Sequence, residues 1–231
     1  MTAPTTKVPW GGLSAYVWIL SPNVAALATS AKKYGVESLI VKSSDGPRWL
    51  GSLERCGPIK EAGLRLGAWA YCYPAPLAPQ ITLLERALEM ADYLVLDVEI
   101  EFQNSKIGAG AAKELVAALA PHKDRLGFTS FASTRLHQSF PYREFANGCA
   151  FSMPQCYWAQ EGVSVERAFS VGVDSYRALG LPVVPIGDCG KGAQPGDIEE
   201  FSRLASSLPG CSWWEWYEAD GAQMAALGKK P

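Results

Sequence analysis

The chain has 231 residues, 48% hydrophobic and 19% charged, with a formal net charge of −2. That supplies apolar length for one large domain or two small ones and is too apolar a balance for a disordered chain. The charge and the lack of any Lys/Arg run exclude an electrostatic nucleic-acid surface, and no apolar run is long enough to cross a bilayer.

Met1 to Trp10 has no apolar run and no cleavage pattern, so the chain is expected to be cytoplasmic at synthesis, with residues 1–14 as an extension ahead of the fold. The first apolar strand is expected over 15–20. Ser21 then caps a helix with Pro22 at its first position, which stops at Gly35. A second strand over 38–43 runs into a loop at Asp45-Gly46-Pro47. A weaker helical stretch over 53–63 leads to a third strand over 67–73, and Pro74, Pro76 and Pro79 break the chain before a helix over 80–91.

The fourth strand, over 93–101, carries three acids. Period-two alternation puts Tyr93, Val95, Asp97, Glu99 and Glu101 on one face. Clustered carboxylates on an apolar strand must be hydrogen-bonded, paired or protonated. A helix over 109–120 follows, then strands over 125–131 and 150–158 with an irregular stretch over 133–148 between them. Val165, Ala168, Phe169, Gly172, Val173 and Tyr176 fall at helical spacing, and Gly180 ends that helix. A seventh strand spans 182–188. Its helix opens near Asp197 with Glu200 three residues on, in the pattern of a capping box. The eighth strand spans 211–217, and a short helix ends the chain.

Eight alternating strands and helices imply a parallel sheet with helices outside, and in this length they fit a closed (β/α)8 TIM barrel as a single α/β domain. The cysteines Cys56, Cys72, Cys149, Cys156, Cys189 and Cys211 show no CxxC spacing and are expected as buried thiols. The two histidines, His122 and His137, fall in loops or helix ends, which argues against a His triad or a His metal site. The glycines of 187–192 lack phosphate-loop spacing. No metal and no cofactor are expected.

Barrel active sites lie at the C-terminal ends of the strands. Those ends carry Lys42, Ser44 and Asp45; Tyr71 and Tyr73; Asp97, Glu99 and Glu101; Gln155, Tyr157 and Trp158; Asp188; and Trp214, Glu215, Trp216 and Tyr217. Acids and aromatics therefore converge on one end. Two close carboxyl groups in such a cleft are what glycoside hydrolysis uses. Glu99 could instead pair with Lys42 across the barrel as a structural acid, and Asp45 could simply make the turn at Gly46.

Asp97-Val98-Glu99 resembles the D-x-E motif of family-25 lysozymes and the end of the D-x-D-x-E motif of family-18 chitinases. Met153-Pro154-Gln155-Cys156-Tyr157-Trp158 loosely resembles the chitinase M-x-Y segment, with Tyr157 in the matching place. Trp214 or Trp216 stands where that group carries a Trp on its last strand. There are two departures. Val95 replaces the outer acid of D-x-D-x-E, and Tyr16-Val17-Trp18-Ile19-Leu20 lacks the strand-one Asp of family-25 lysozymes.

The resemblance implies Glu99 as general acid, its pKa raised by burial and by Asp97. It also implies Asp97 orienting a substrate 2-acetamido group, whose carbonyl attacks the anomeric carbon, with Tyr157 helping to hold that group. Trp214, Trp216 and Tyr73 would stack on sugar faces, and Gln155, Trp158, Glu215 and Asp45 would line the site. In a direct displacement, Glu215 or Glu101 would be the second carboxylate. The expected substrate is a glycan with N-acetylated amino sugars, first among them the cell-wall polymer peptidoglycan. The expected setting is a phage particle or another wall-directed assembly, with neither nucleic acid nor membrane as partner. The rival expectation is a non-catalytic barrel of the same ancestry, serving as a carbohydrate-binding or virion structural module. A third is a metal-dependent lyase or isomerase using Asp97, Glu99 and Asp188.

Overall fold

Short β-branched and aromatic runs alternate with amphipathic helices along the chain, and the strands close on themselves. The structure, a computed structural model, describes residues 8–104 and 106–228. Residues 1–7 of the expected extension lie outside the described residues. Eight parallel strands form the barrel: β1 (Gly12–Val17), β2 (Ser38–Asp45), β4 (Arg65–Tyr71), β5 (Tyr93–Asp97), β6 (Leu126–Phe131), β7 (Phe151–Cys156), β8 (Ile186–Asp188) and β9 (Gly210–Trp214). The two-residue β3 (Arg48–Trp49) folds back antiparallel on the end of β2. Closure comes from β1, which pairs with both β2 and β9.

The helices are α1 (Val24–Lys33), α2 (Gly57–Glu61), α3 (Leu77–Met90), α4 (Ile100–Asn104), α5 (Gly108–Ala118), α6 (Tyr142–Gly148), α7 (Trp158–Glu161), α8 (Val165–Arg177), α9 (Pro195–Ala205) and α10 (Gly221–Leu227). Among the described residues none is long and apolar enough to cross a membrane. All six cysteines are buried free thiols.

Several expected boundaries shift for identifiable reasons. Asn23, not Ser21, caps α1, its side chain accepting from Ala26 N at 3.0 Å. Gly57-Pro58 splits the 53–63 stretch into a 3₁₀ turn and α2. Pro182 and Pro185 lack the N–H a ladder needs, so the seventh barrel strand shrinks to Ile186–Asp188 plus one bridge at Val183. The stretch 133–148, expected as irregular, contains α6, whose Tyr142, Phe145 and Ala146 turn one face to the core. Gln194 and Asp197 form the α9 capping box, one turn earlier than the Asp197/Glu200 pattern suggested.

The acidic strand also ends early. Its ladder stops where Cys72 N donates to Asp97 O (2.8 Å) and Val98 N donates to Thr129 O (3.1 Å). Phe102 N then turns back to Glu99 O at 3.0 Å, starting a helical turn. Glu99 and Glu101 thus sit at the N-terminal turn of α4, where the backbone N–H groups favour negative charge, and not in an extended row of repelling acids.

Alternate residues divide the core in two. An outer layer, including Leu39, Val41, Leu94, Leu96 and Phe128, packs against the helices. An inner layer fills the barrel with Tyr16, Ile40, Trp69, Tyr93, Val95, Phe151, Met153, Val184 and Ile186. The N-terminal end is sealed by Trp10, stacked on Tyr93 at 4.2 Å and edge-on to Phe151 at 5.1 Å. Tyr93 and Phe151 in turn occupy the space that Gly67 and Gly127 leave, where a Cβ would collide with their rings. Residues 1–14 are therefore not wholly an extension. Gly12 to Ser14 belong to β1, and Val8 and Trp10 are core.

Replacing Trp10 removes the barrel's lower plug and leaves a cavity between two rings that cannot close. Trp10→Ala is expected to lower stability by about 3–5 kcal/mol, read as a drop in urea midpoint at unchanged m-value. A loss below about 1 kcal/mol would show that the plug is dispensable.

Candidate active site

Alternation along β5 leaves Asp97 as its last inward residue, at the open end of the barrel above Val95. A cleft of about 450 Å³ opens there. Its acids are Asp45, Asp97, Glu99 and Glu101, its one lysine is Lys42, and Tyr16, Trp18, Trp69, Tyr71, Tyr73, Tyr157 and Trp214 supply the aromatic walls.

Gln155, the last inward residue of β7, faces the acid pair with the donor end of its amide. Its Nε2 lies 2.8 Å from Glu99 Oε1 and 3.4 Å from Asp97 Oδ1. Burial pushes the Asp97 carboxyl well above the usual carboxylate range. The negative charge of Glu99 and a hydrogen bond between the two carboxyl groups add to the rise, and Lys42 opposes it. Tyr157 is also pushed up, by burial first and then by Asp97.

The remaining acids each have a donor. Tyr71 donates to Glu101 at 2.8 Å. Asp45 accepts from Lys42 Nζ at 2.8 Å and from the Tyr73 hydroxyl at 3.1 Å. Lys42 is 5% exposed and lies 4.7 Å from the Trp69 ring centre and 5.2 Å from that of Trp18, a cation–π sandwich. It pairs with Asp45 and not, as the structural alternative had it, with Glu99. Gly46, at φ +52°, lets the turn after Asp45 press against Tyr73, where a Cβ would come within 2.7 Å of the ring.

Trp214 is the hub of the aromatic wall. Its ring centre lies 5.5 Å from Trp18 and Trp69, 5.6 Å from Tyr16 and 6.4 Å from Tyr157. The Trp214–Glu215 peptide is cis.

Of the residues singled out in the sequence, Asp45, Tyr73, Asp97, Glu99, Gln155, Tyr157 and Trp214 meet in this cleft. Three do not. Trp158 is buried outside the barrel against Phe201 at 5.2 Å, and Trp216 is buried in the outer core, so neither ring can reach a sugar in the cleft. Glu215 is turned away from the cleft, its carboxylate accepting from Trp18 N (3.3 Å) and Tyr217 N (3.1 Å). Asp188 caps α7 instead of facing the acid pair, accepting from Ala159 N at 2.9 Å; burial raises its pKa to about 6. Among the described residues no group of three or more His, Cys, Asp and Glu side chains is placed to hold a metal ion.

Sequence reasoning passed over Tyr16, Trp18, Trp69 and Thr129 in the cleft. The signal was present. Each lies in phase with, or at the end of, an inward row, and Thr129 is the in-register partner of Asp97.

No protein-family model and no curated protein matches the sequence. The fold, however, matches solved structures. A family-18 N-acetylglucosaminidase from Paenibacillus barengoltzii aligns at 11% identity with TM-score 0.65, over 94% of this chain and 99% of that one. A mutant family-18 chitinase from Cycas revoluta, in complex with (GlcNAc)4, aligns at 10% identity with TM-score 0.68, over 94% and 98%. The Bacillus cereus spore cortex-lytic enzyme SleL aligns at 10% identity with TM-score 0.66, over 96% and 74%. The chain thus has the barrel fold of family-18 glycoside hydrolases, as its motifs suggested.

A buried carboxyl with a raised pKa costs stability once the solvent would ionise it. Below about pH 4, Asp97 is protonated in both folded and unfolded chains and costs nothing. As pH rises, the unfolded chain loses the proton first, so the folded state loses stability until Asp97 itself ionises. Asp97→Asn, which cannot ionise, is expected to gain stability relative to the parent as pH rises above about 4 in urea titrations. A stability difference independent of pH would contradict the buried proton.

Proposed function

We propose that the chain is a glycoside hydrolase that cleaves a glycan of N-acetylated amino sugars, with Glu99 as general acid. The observation that carries this reading is the meeting of Asp97 and Glu99, both reached by Gln155 Nε2 (3.4 and 2.8 Å), at the open end of a family-18-like barrel, with Tyr157 and Trp214 in the same cleft.

The geometry supports one mechanism over two others. A retaining enzyme with a protein nucleophile separates its two carboxyl groups by roughly 5–5.5 Å, and an inverting one by roughly 6.5–9.5 Å. One amide nitrogen, Gln155 Nε2, reaches both carboxyl groups, at 3.4 Å and 2.8 Å, so they crowd one side of the cleft, and Glu215 is withdrawn. The nucleophile that remains is the substrate's own acetamide oxygen. In this mechanism Glu99 gives its proton to the leaving glycosidic oxygen as the acetamide carbonyl bonds to the anomeric carbon. Asp97 accepts from the acetamide N–H, Tyr157 holds the acetamide in place, and Trp214 packs under the ring. Water then opens the cyclic intermediate, returning its proton to Glu99. Peptidoglycan is the polymer we propose as natural substrate, supported by the likeness to a spore cortex-lytic enzyme. Use within a phage or other wall-directed assembly belongs to the same proposal.

A non-catalytic sugar-binding role has its own support. Gln155 donates to Glu99 at 2.8 Å and so occupies one of the oxygens a general acid would need, and Val95 stands where the chitinase motif carries a further acid.

Turnover of chitooligosaccharides or peptidoglycan fragments separates the two. Glu99→Gln is expected to lower kcat by about 10²–10⁴-fold with binding retained. Wild-type protein that binds the oligomers without cutting them would establish the binding role, and full activity in Glu99→Gln would remove Glu99 from the mechanism.

A further inference from the structure

One hydroxyl in the wall of the acid cleft makes no bond. Thr129 lines the cleft and is 2% exposed, and its Oγ1 is buried without a hydrogen-bond partner. Other buried polar atoms in that condition, such as Trp10 Nε1 and Ser212 Oγ, belong to residues outside the cleft lining. A buried hydroxyl without a bond costs stability, and folded proteins keep few of them. Thr129 is the in-register partner of Asp97 across the β5–β6 ladder, and both side chains lie on the inward row. Neighbouring strands are about 4.7–4.9 Å apart, so the two side chains stand side by side. A turn about the Thr129 Cα–Cβ bond carries its hydroxyl toward the Asp97 carboxyl.

Asp97 is short of donors. Glu99 and Glu101, which follow it in the chain, are themselves acids. Lys42 on β2 is committed to Asp45, and Tyr71 on β4 donates to Glu101. Tyr16 on β1 directs its hydroxyl to Met153 Sδ at 3.5 Å. Behind the strand, Cys72 donates to Ala70 O at 3.4 Å and Tyr176 to Phe131 O at 3.0 Å. Tyr157, past the end of β7, serves the acetamide in the mechanism above. Gln155 Nε2 is taken by Glu99 at 2.8 Å and reaches Asp97 only at 3.4 Å. The next inward residue down β5 is Val95, which offers nothing polar. That leaves Thr129, the neighbour on β6, with its donor uncommitted.

We propose that Thr129 is a positioning residue for Asp97: when Asp97 carries its charge and accepts from the substrate N–H with one oxygen, the Thr129 hydroxyl turns and donates to the other. This role rests on the amino-sugar reading of the cleft. Thr129 itself touches no sugar. Its hydrogen bond fixes the rotation of the Asp97 carboxyl, and it exists only while Asp97 is ionised.

Carbon-13 NMR titration of the Asp97 carboxyl in the whole chain reads this bond without turnover. Thr129→Val keeps the side-chain shape and removes the donor to the charged form. The Asp97 midpoint is therefore expected to rise by about one pH unit, a tenfold weaker acid. Thr129→Ala, which adds no second methyl, should move it the same way, and Thr129→Ser should stay near the parent. In turnover of chitooligosaccharides, Thr129→Val is expected to lower kcat about tenfold and to carry the acid limb of the pH profile upward with the midpoint. Its urea midpoint should equal or exceed the parent's, because the resting hydroxyl has no bond to lose. A merely structural Thr129 would show the reverse, a lower urea midpoint with the Asp97 midpoint and the acid limb unmoved. An Asp97 midpoint unmoved in both Thr129→Val and Thr129→Ala overturns the positioning role, and leaves the cleft reading intact where the parent cuts substrate. A shifted midpoint in a parent that cuts neither chitooligosaccharide nor peptidoglycan keeps the Thr129–Asp97 bond and removes the reaction it was assigned to serve.

Discussion

Closure of β1 onto β9 sets the parity on which every other contact depends. Each strand alternates faces with period two, and a closed parallel barrel has no free edge along which a strand could slip without its neighbours. With that parity, Tyr16, Ile40, Val95 and Met153 fill the interior, and Asp97 and Gln155 follow them at the mouth. A slip of one residue in β5 would turn Asp97 into the apolar layer under the helices, where an unpaired carboxylate costs several kcal/mol. The plug of Trp10, Tyr93 and Phe151 closes the other end, so solvent and ligand reach the acids from one side.

Within the cleft, partner geometry sorts four carboxyl groups into different roles. Glu99, Glu101 and Asp45 each accept a bond of 2.8 Å, from Gln155, Tyr71 and Lys42 respectively. Asp97 receives only the longer 3.4 Å contact from Gln155. It is also buried beside Glu99, and burial drives its carboxyl well upward. Lys42, held between two indoles, limits the total negative charge without touching the acid pair by any short bond.

The end of β9 at Trp214 divides the four consecutive residues Trp213 to Trp216, because Trp216 lies past the strand in a 3₁₀ turn. Trp213 packs outward against Phe201, Trp214 turns inward to the cleft, and Trp216 returns to the outer core. Glu215 lies off the inward row, and its carboxylate braces Trp18 and Tyr217. Neighbouring residues of similar chemistry thus serve packing, cleft lining and bracing according to phase and to where the strand ends.

Much of this was legible in the chain itself. Alternating strands and helices in 231 residues sufficed for a (β/α)8 barrel, and the run ending at Asp97-Val98-Glu99 sufficed to locate the acid pair, because hydrophobic period and burial of charge are local properties. Trp158, Glu215 and Trp216 could not be sorted from Trp214 in this way. Where a strand ends, and so which residues keep its alternation, depends on ladder bonds to neighbours distant in sequence, such as Val98 to Thr129. The partner of Lys42, the withdrawal of Glu215 and the plug built from Trp10 are likewise contacts between separate strands. The sequence determined the elements and the kind of chemistry at the barrel mouth. Only the closed tertiary structure decided which side chains meet there, because hydrogen-bond distance between residues such as Trp18 and Glu215 is set by the folding of the whole barrel.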